Sequence, residues 1–319
     1  MNKNISIDSV LDKDLVQKLE SLEPKRVKVN LIMKWIGRIS LSLFIISLFI
    51  YFKDGGTDLF QILLIGCVVV GVGGAVIYNL YTAKHLPYID KYKEYVVPKI
   101  ISLIADDLSY RPMQHINESR VASSRIIAGN SNFKVNGSDL INGNYHGIPI
   151  MLSYLRARST GEESSTLFDG IFLVADFKKD FKGSVILLPN ITRKNKPGFL
   201  SRMMSKGRSE SYIQLEDTEF AKEYICYASD DILARYILSF SFKDKLLEYR
   251  KRYPHFFVIF SFIDGVMHLV VDNKRNPFTP SLQKPLTDKN QMKSLFDELM
   301  MVFEVVEVLE LNEKIWSKE

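Results

Sequence analysis

With 319 residues, 46 % of them hydrophobic, and a formal net charge of +5, the chain has too little excess base for a dedicated nucleic-acid binder. Its two cysteines, Cys67 and Cys226, lie far apart, and Cys226 stands alone in the long C-terminal region, which excludes a disulfide framework there. That region, about 235 residues, is long enough to bury a core of its own.

Residues 1–30 offer a short amphipathic helix, with Leu11, Leu15, Val16, Leu19 and Leu22 on one stripe and Pro24 expected to end it. Two apolar runs follow, from about Ile39 to Phe52 and from about Leu59 to Tyr81, separated by the polar break Lys53-Asp54-Gly55-Gly56-Thr57-Asp58. The second holds about 20 residues with no ionisable side chain beyond Cys67, enough to cross a bilayer core. Trp35, Ile36 and Gly37 lengthen the first, and Lys34 and Arg38 can snorkel to the headgroups. Residues 31–83 therefore read as a two-helix transmembrane hairpin, in preference to a buried soluble hairpin or a cleaved signal peptide. Gly66, Gly71, Gly73, Gly74 and Ala75 form a small-residue face whose simplest use is packing against the first span, with homo-oligomerisation the runner-up.

Lysine and arginine flank both outer ends of the hairpin (Lys25, Arg26, Lys28, Lys34 and Arg38 before it, Lys84, Lys91, Lys93 and Lys99 after it), whereas the turn has Lys53 alone. The expected location is the cell membrane, multi-pass, with both termini cytoplasmic. Residues 84–319 then form the cytosolic domain. It opens with a helical stalk at 85–110, where Tyr88, Tyr92, Tyr95, Ile101 and Ile104 recur at helical spacing and Pro98 is expected to kink or divide it.

From about Asp139 the period becomes that of strands. Ile148–Arg156, Phe168–Phe177 and Ser184–Leu188 read as an antiparallel meander, continued by Tyr212–Leu215 and Tyr224–Ala228. Asp230–Ser239 and Lys243–Lys251 look helical. His255–Ile263 and Val266–Val271 form a hairpin about Asp264-Gly265, and a long helix runs from about Gln291 to Trp316. The fold class is α+β: an N-terminal transmembrane helical hairpin, then a cytosolic, mainly antiparallel sheet with helices over one face and a long C-terminal helix.

The block Phe168-Asp169-Gly170-Ile171-Phe172-Leu173-Val174-Ala175-Asp176-Phe177, with Phe181-Lys182-Gly183 and Leu188-Pro189 after it, resembles a bacterial family of two-span membrane proteins of unknown function, a domain sometimes labelled galanin. Leu215–Phe220, Tyr227–Asp230 with Ala234–Leu238, and Leu311–Trp316 resemble its later blocks; Tyr224 and Cys226 stand where Phe and Val would be expected. The resemblance extends over the hairpin and nearly all of the C-terminal region. It implies a cytosol-facing domain on a membrane hairpin and a LemA-type membrane protein as partner. It supplies no catalytic residues.

Motifs for chemistry are sparse. The chain has no G-x-S-x-G elbow, phosphate-binding loop, H-E-x-x-H or paired C-x-x-C, and it calls for no cofactor. His255 and His268 could approach across the last hairpin, but a metal site there would need Asp264 or Asp272 as third ligand, and ordinary sheet-face histidines are the simpler reading. Asp217 and Asp230 stand at helix starts, where capping is preferred to acid–base catalysis, and Arg235 is placed to pair with a neighbouring acid. Asp176 is an outward-facing strand residue. The segment with Arg193, Lys194, Lys196, Phe199, Arg202, Met203, Lys206 and Arg208 alternates base with apolar side chains, a pattern suited to an anionic lipid surface or a protein partner, although a solvated insertion between two strands is the simpler reading. RNA contact is weaker, because Phe199 is its single stacking aromatic. The preferred function is a membrane-anchored binding or scaffold module. A membrane-anchored hydrolase using carboxylates such as Asp176 and Asp217, and a structural subunit of a membrane complex, are the alternatives.

Overall fold

A computed structural model describes residues 10–54, 61, 64–66, 68, 73, 74, 87–127, 132–160, 165–176, 180–190 and 208–309. The chain divides into two compact units, Met1–Val97 with Thr279–Lys293, and Pro98–Phe278 with Ser294–Glu319. The boundary at Val97 and Pro98 falls inside the stretch read as one domain, 84–319, and inside a single helix that runs through Pro98, so proline does not divide the stalk.

In the first unit, helix α1 spans Lys13–Asp54, about 60 Å at 1.5 Å per residue. Asp12 Oδ1 caps it by accepting from the Leu15 amide at 2.8 Å. Pro24 does not end it, which corrects the short N-terminal helix read from sequence. Proline removes one amide donor, but Leu19, Leu22, Arg26 and Val29 on both sides are buried, and that packing carries the helix through. Arg26 donates to Glu23 and to the Leu282 carbonyl, while Glu23 accepts from the Leu286 amide at 3.0 Å. Burial would raise the Glu23 pKa, but these hydrogen bonds hold it below the ordinary value. Helix α2, Pro87–Ile104, contributes buried Tyr88, Tyr92 and Val96, and Lys18 Nζ lies 5.6 Å from the centre of the Tyr95 ring.

Beyond Val29 the character of α1 changes. Leu31, Trp35, Leu41, Ile45, Phe49 and Phe52 are all exposed, and Lys13–Ile46 is apolar and long enough to cross a membrane, with only 6 % of its most apolar stretch buried. Of the second apolar run, residues 61, 64–66, 68, 73 and 74 are helical. The rest of that run lies outside the described residues, so one N-terminal apolar helix is established and a two-helix hairpin is not. Gly74 is buried against α1: a Cβ there would come 2.5 Å from Ile36 Cγ2.

The second unit is built on an antiparallel sheet. Its strands are β1 (Leu108–Arg111), β2 (Phe133–Tyr145), β3 (Ile148–Ser159), β4 (Thr166–Asp176), β5 (Ser184–Pro189), β6 (Ser211–Ile213), β7 (Tyr224–Ala228), β8 (Val258–Ile263) and β9 (Val266–Val271). Between them lie helices α3 (Glu118–Ser123), α4 (Thr218–Glu223), α5 (Asp231–Ile237) and α6 (Phe240–Arg252), and α7 (Lys289–Val308) follows. Two differences from expectation stand at its start. The stalk helix ends at Ile104 and Leu108–Arg111 is already an edge strand; the second strand begins at Phe133, before Asp139.

Among the described residues the strand order is β1-β2-β3-β4-β9-β8-β5-β7-β6. This corrects the simple meander, because the β8–β9 hairpin inserts between β4 and β5. Asp264 and Gly265, with φ of 46° and 81°, supply the left-handed pair that a tight two-residue hairpin needs, and Ile263 opposes Val266 as expected. His146 and Gly147 do the same between β2 and β3, with φ of 50° and 81°.

Both faces of the sheet are covered, which corrects the expectation of helices over one face. On one side Ile116, Val121 and Ile126 pack with Phe168, Phe172, Ile186, Ile259 and Val270. On the other, Phe242 of α6 meets Phe262 at 5.6 Å and Phe303 of α7 meets Tyr145 at 4.8 Å. Double coverage explains why every residue of β5 and β8 is buried.

The Phe168–Asp176 block lies inside the sheet, paired with β3 on one side and β9 on the other. The Asp169 carboxylate accepts from Tyr154 Oη at 2.6 Å and from Arg156 Nε at 2.7 Å, and burial with that carboxylate pushes the Tyr154 pKa up to about 12. Gly170 faces the backbone of β9, where a Cβ would lie 2.0 Å from the Val271 carbonyl oxygen.

Candidate functional site

Of the residues singled out for binding, Arg193, Lys194, Lys196, Phe199, Arg202, Met203 and Lys206 lie outside the described residues. Arg208 is described. It donates through Nη1 to the Arg125 carbonyl at 3.1 Å and through Nη2 to the Ile126 carbonyl at 3.0 Å, and it stacks 5.5 Å from the Tyr227 ring. Burial lowers its pKa from the usual arginine value, with Glu210 opposing the shift. Arg208 therefore ties the chain to the sheet surface at the C-terminal end of the basic segment. The other end is tied as well: the Asn190 amide donates to the Glu223 carbonyl at 2.8 Å, and its Nδ2 donates to the Ala221 carbonyl at 2.8 Å.

Glu210, beside Arg208, is a buried carboxylate that sequence reasoning missed. Arg125 Nη1 donates to it at 3.1 Å and Ser184 Oγ at 3.0 Å. Burial works to raise its pKa, and the two donors outweigh burial and hold it below 4.5. No local pattern announces this cluster, since its members come from residues 125, 184 and 210.

The carboxylates considered for catalysis are differently employed. Asp217 Oδ1 caps α4, accepting from the amides of Glu219 and Phe220 at 3.1 Å each, and its Oδ2 is 3.6 Å from Lys243 Nζ. The Phe220 amide is the largest influence holding the Asp217 pKa below its ordinary value. Asp230 caps α5 through the Leu233 amide at 2.8 Å, and Arg235 bridges Asp231 at 2.8 Å and Glu216 at 2.9 Å. Capping and the arginine pair are thus as read from sequence. Asp176 closes β4 opposite Val266 and is not among the residues around Asp217.

His268 is opposite Ser261 in the β8–β9 register, with Val258 already opposite Val271, so His255 falls beyond the ladder and the two histidines do not meet. Among the described residues no group of three histidine, cysteine, aspartate or glutamate side chains is placed to hold a metal. The His268 ring is buried, and its Nδ1 has no partner among them. Burial pushes its pKa down to about 4; Arg120 adds to the fall and a backbone hydrogen bond to Ser261 opposes it.

Because folding lowers this base from 6.5, the unfolded chain binds the extra proton and the native state loses stability as pH falls from 6.5 towards 4. The loss attributable to His268 is roughly 3 kcal/mol across that window. Urea denaturation at pH 7 and pH 4 should show it, and His268→Gln should lessen the difference by about that amount.

A cavity of about 640 Å³ opens in the second unit, next to Asn190. Pro189, Asn190, Pro254 and Phe257 meet there with Asp217, Glu219, Lys222 and Glu223 of the α4 side and Asp244, Leu247, Arg250 and Lys251 of α6. Arg250 is its organiser: Nη1 donates to the carbonyls of Tyr253 at 3.1 Å, Pro254 at 3.0 Å and Phe256 at 2.7 Å, and Nε is 3.3 Å from Glu223 Oε2. It thereby satisfies carbonyls left open where α6 ends. Glu219 pairs with Lys222. Apolar and charged side chains of both signs therefore converge on one opening.

Residues 166–311 match the family model described as Protein of unknown function (DUF3137). The DUF3137 match runs from β4 through α7 and includes the whole cavity lining, while α1, Arg125 and the first three strands lie outside it. No curated protein and no solved structure matches the chain.

Proposed function

We propose that this protein is a membrane-anchored binding module: the apolar part of α1 enters a bilayer, packed with the second apolar run as a hairpin, and the sheet unit presents the binding surface on the cytoplasmic side. The observation that carries the reading is the exposure of Leu31, Trp35, Leu41, Ile45, Phe49 and Phe52 along α1. The seat of Gly74 against Ile36 supports the pairing of the two runs. The charge asymmetry about the hairpin supports cytoplasmic termini, and the basic segment between Asn190 and Arg208 adds affinity for an anionic leaflet or a membrane partner, LemA-type proteins among them. Hydrolysis by Asp176 and Asp217 has less support, since the Asp217 carboxylate is spent on capping.

Two measurements test the anchor. The expressed protein should stay in the membrane fraction through alkaline carbonate washing, and the double variant Leu41→Arg, Ile45→Arg should be substantially released, because each arginine at a span centre costs about 3 kcal/mol. Tags at both ends should resist protease added outside intact cells. Release of the unmodified chain by carbonate, or cleavage of either tag, overturns the reading.

A further inference from the structure

The α6 face of the cavity carries a pattern that the anchor does not use. Asp244, Leu247 and Lys251 are spaced by three and four residues, so they stand in a row on one side of the helix. Asp244 and Lys251 are both exposed and have no bonding partner among the described residues. Nearby, the Arg250 guanidinium is fixed through Nε and Nη1, while Nη2 has no bonding partner among those residues. One acid, one apolar side chain and a pair of cations thus follow each other along the cavity.

We propose that this cavity binds a short peptide with free termini, its ammonium at Asp244, its middle side chain against Leu247 and Phe257, and its carboxylate at Lys251 and Arg250 Nη2. Length decides the size of the ligand. Seven residues of α-helix separate Asp244 from Lys251 by about 10 Å along the axis, and three extended residues span about 10 Å. Charge decides its type. In the lining Glu219 pairs with Lys222 and Glu223 with Arg250, and Asp217 lies 3.6 Å from Lys243, which leaves Asp244 and Lys251, one charge of each sign, and suits a neutral zwitterion better than a net anion or cation. The volume, about 640 Å³, lies within the range of small-ligand sites, roughly 300–1,000 Å³. The inference rests on the sheet unit being the binding part of the protein; it does not depend on the bilayer.

The test is calorimetric titration of the full chain in mild detergent with the tripeptide Ala-Phe-Ala. The doubly blocked N-acetyl amide, the N-acetyl acid and the free-amine amide serve as comparisons. The zwitterion should bind best, with either singly blocked form about fivefold weaker and the doubly blocked form weaker still, since an exposed charge contact is worth about 1 kcal/mol. Asp244→Asn should remove the advantage of a free amine and Lys251→Gln that of a free carboxylate, with unchanged thermal midpoints because both side chains are exposed. Equal binding of blocked and free peptides, a preference for the N-acetyl acid, or no heat at millimolar peptide overturns the proposal. Membrane retention of the same preparation is read separately, so failure of the anchor and failure of the peptide site are distinguishable.

Discussion

Gly170→Ala should unfold the sheet unit at a denaturant concentration well below that of the parent chain, with a loss of about 3 kcal/mol or more. The added methyl would stand 2.0 Å from the Val271 carbonyl oxygen and within 3.1 Å of the Asn273 amide nitrogen, both backbone atoms. No side-chain rotation can relieve such a contact, so β4 and β9 would have to separate where Ile171 opposes Val271. Asp169 suffers with them, because its amide bonds to Asp272 Oδ1 at 3.2 Å and its carbonyl accepts from the Lys274 amide at 2.8 Å. Urea titration followed by far-ultraviolet circular dichroism checks this. Gly37→Ala is the control, since a Cβ there meets nothing within 4 Å; it should leave the transition of the sheet unit unmoved.

Arg250→Met should cost roughly 2–3 kcal/mol, chiefly from the hydrogen bonds that its charged group makes to three carbonyls, since the Glu223 carboxylate of the ion pair is 38 % exposed and adds little. Methionine preserves much of the aliphatic stem, but it leaves the carbonyls of Tyr253, Pro254 and Phe256 and the Glu223 carboxylate without the guanidinium. Arg250→Lys should recover little, because one ammonium cannot span three carbonyls and a carboxylate from a fixed plane. The same denaturation experiment checks both variants, and a near-neutral Arg250→Met would show that solvent replaces these bonds without loss.

Local chemistry made much of this molecule legible. Asp264-Gly265 between two apolar runs could hardly do anything but turn, and Asp217 and Asp230 were recognisable as caps from their place before short helical patterns. Their effects act within three or four residues of chain. The cavity was not legible, because Pro189, Asp217, Asp244 and Phe257 reach it from separate elements and none belongs to a motif. Arg208 looked like one more base in a basic segment; the carbonyls of Arg125 and Ile126 that hold it are more than 80 residues away in sequence.

The sequence by itself determined the apolar helix near the N-terminus, most of the strands by their aromatic and aliphatic runs between polar turns, and the final hairpin by its turn, since each follows from side chains close together on the chain. Tertiary structure decided that α1 passes through Pro24, because burial on both sides outweighs one missing amide bond. It also decided the strand order. A β8–β9 hairpin can pair with any exposed edge of suitable register, and only the combined packing of β4 and β5 with covering groups on both faces selects the slot between them.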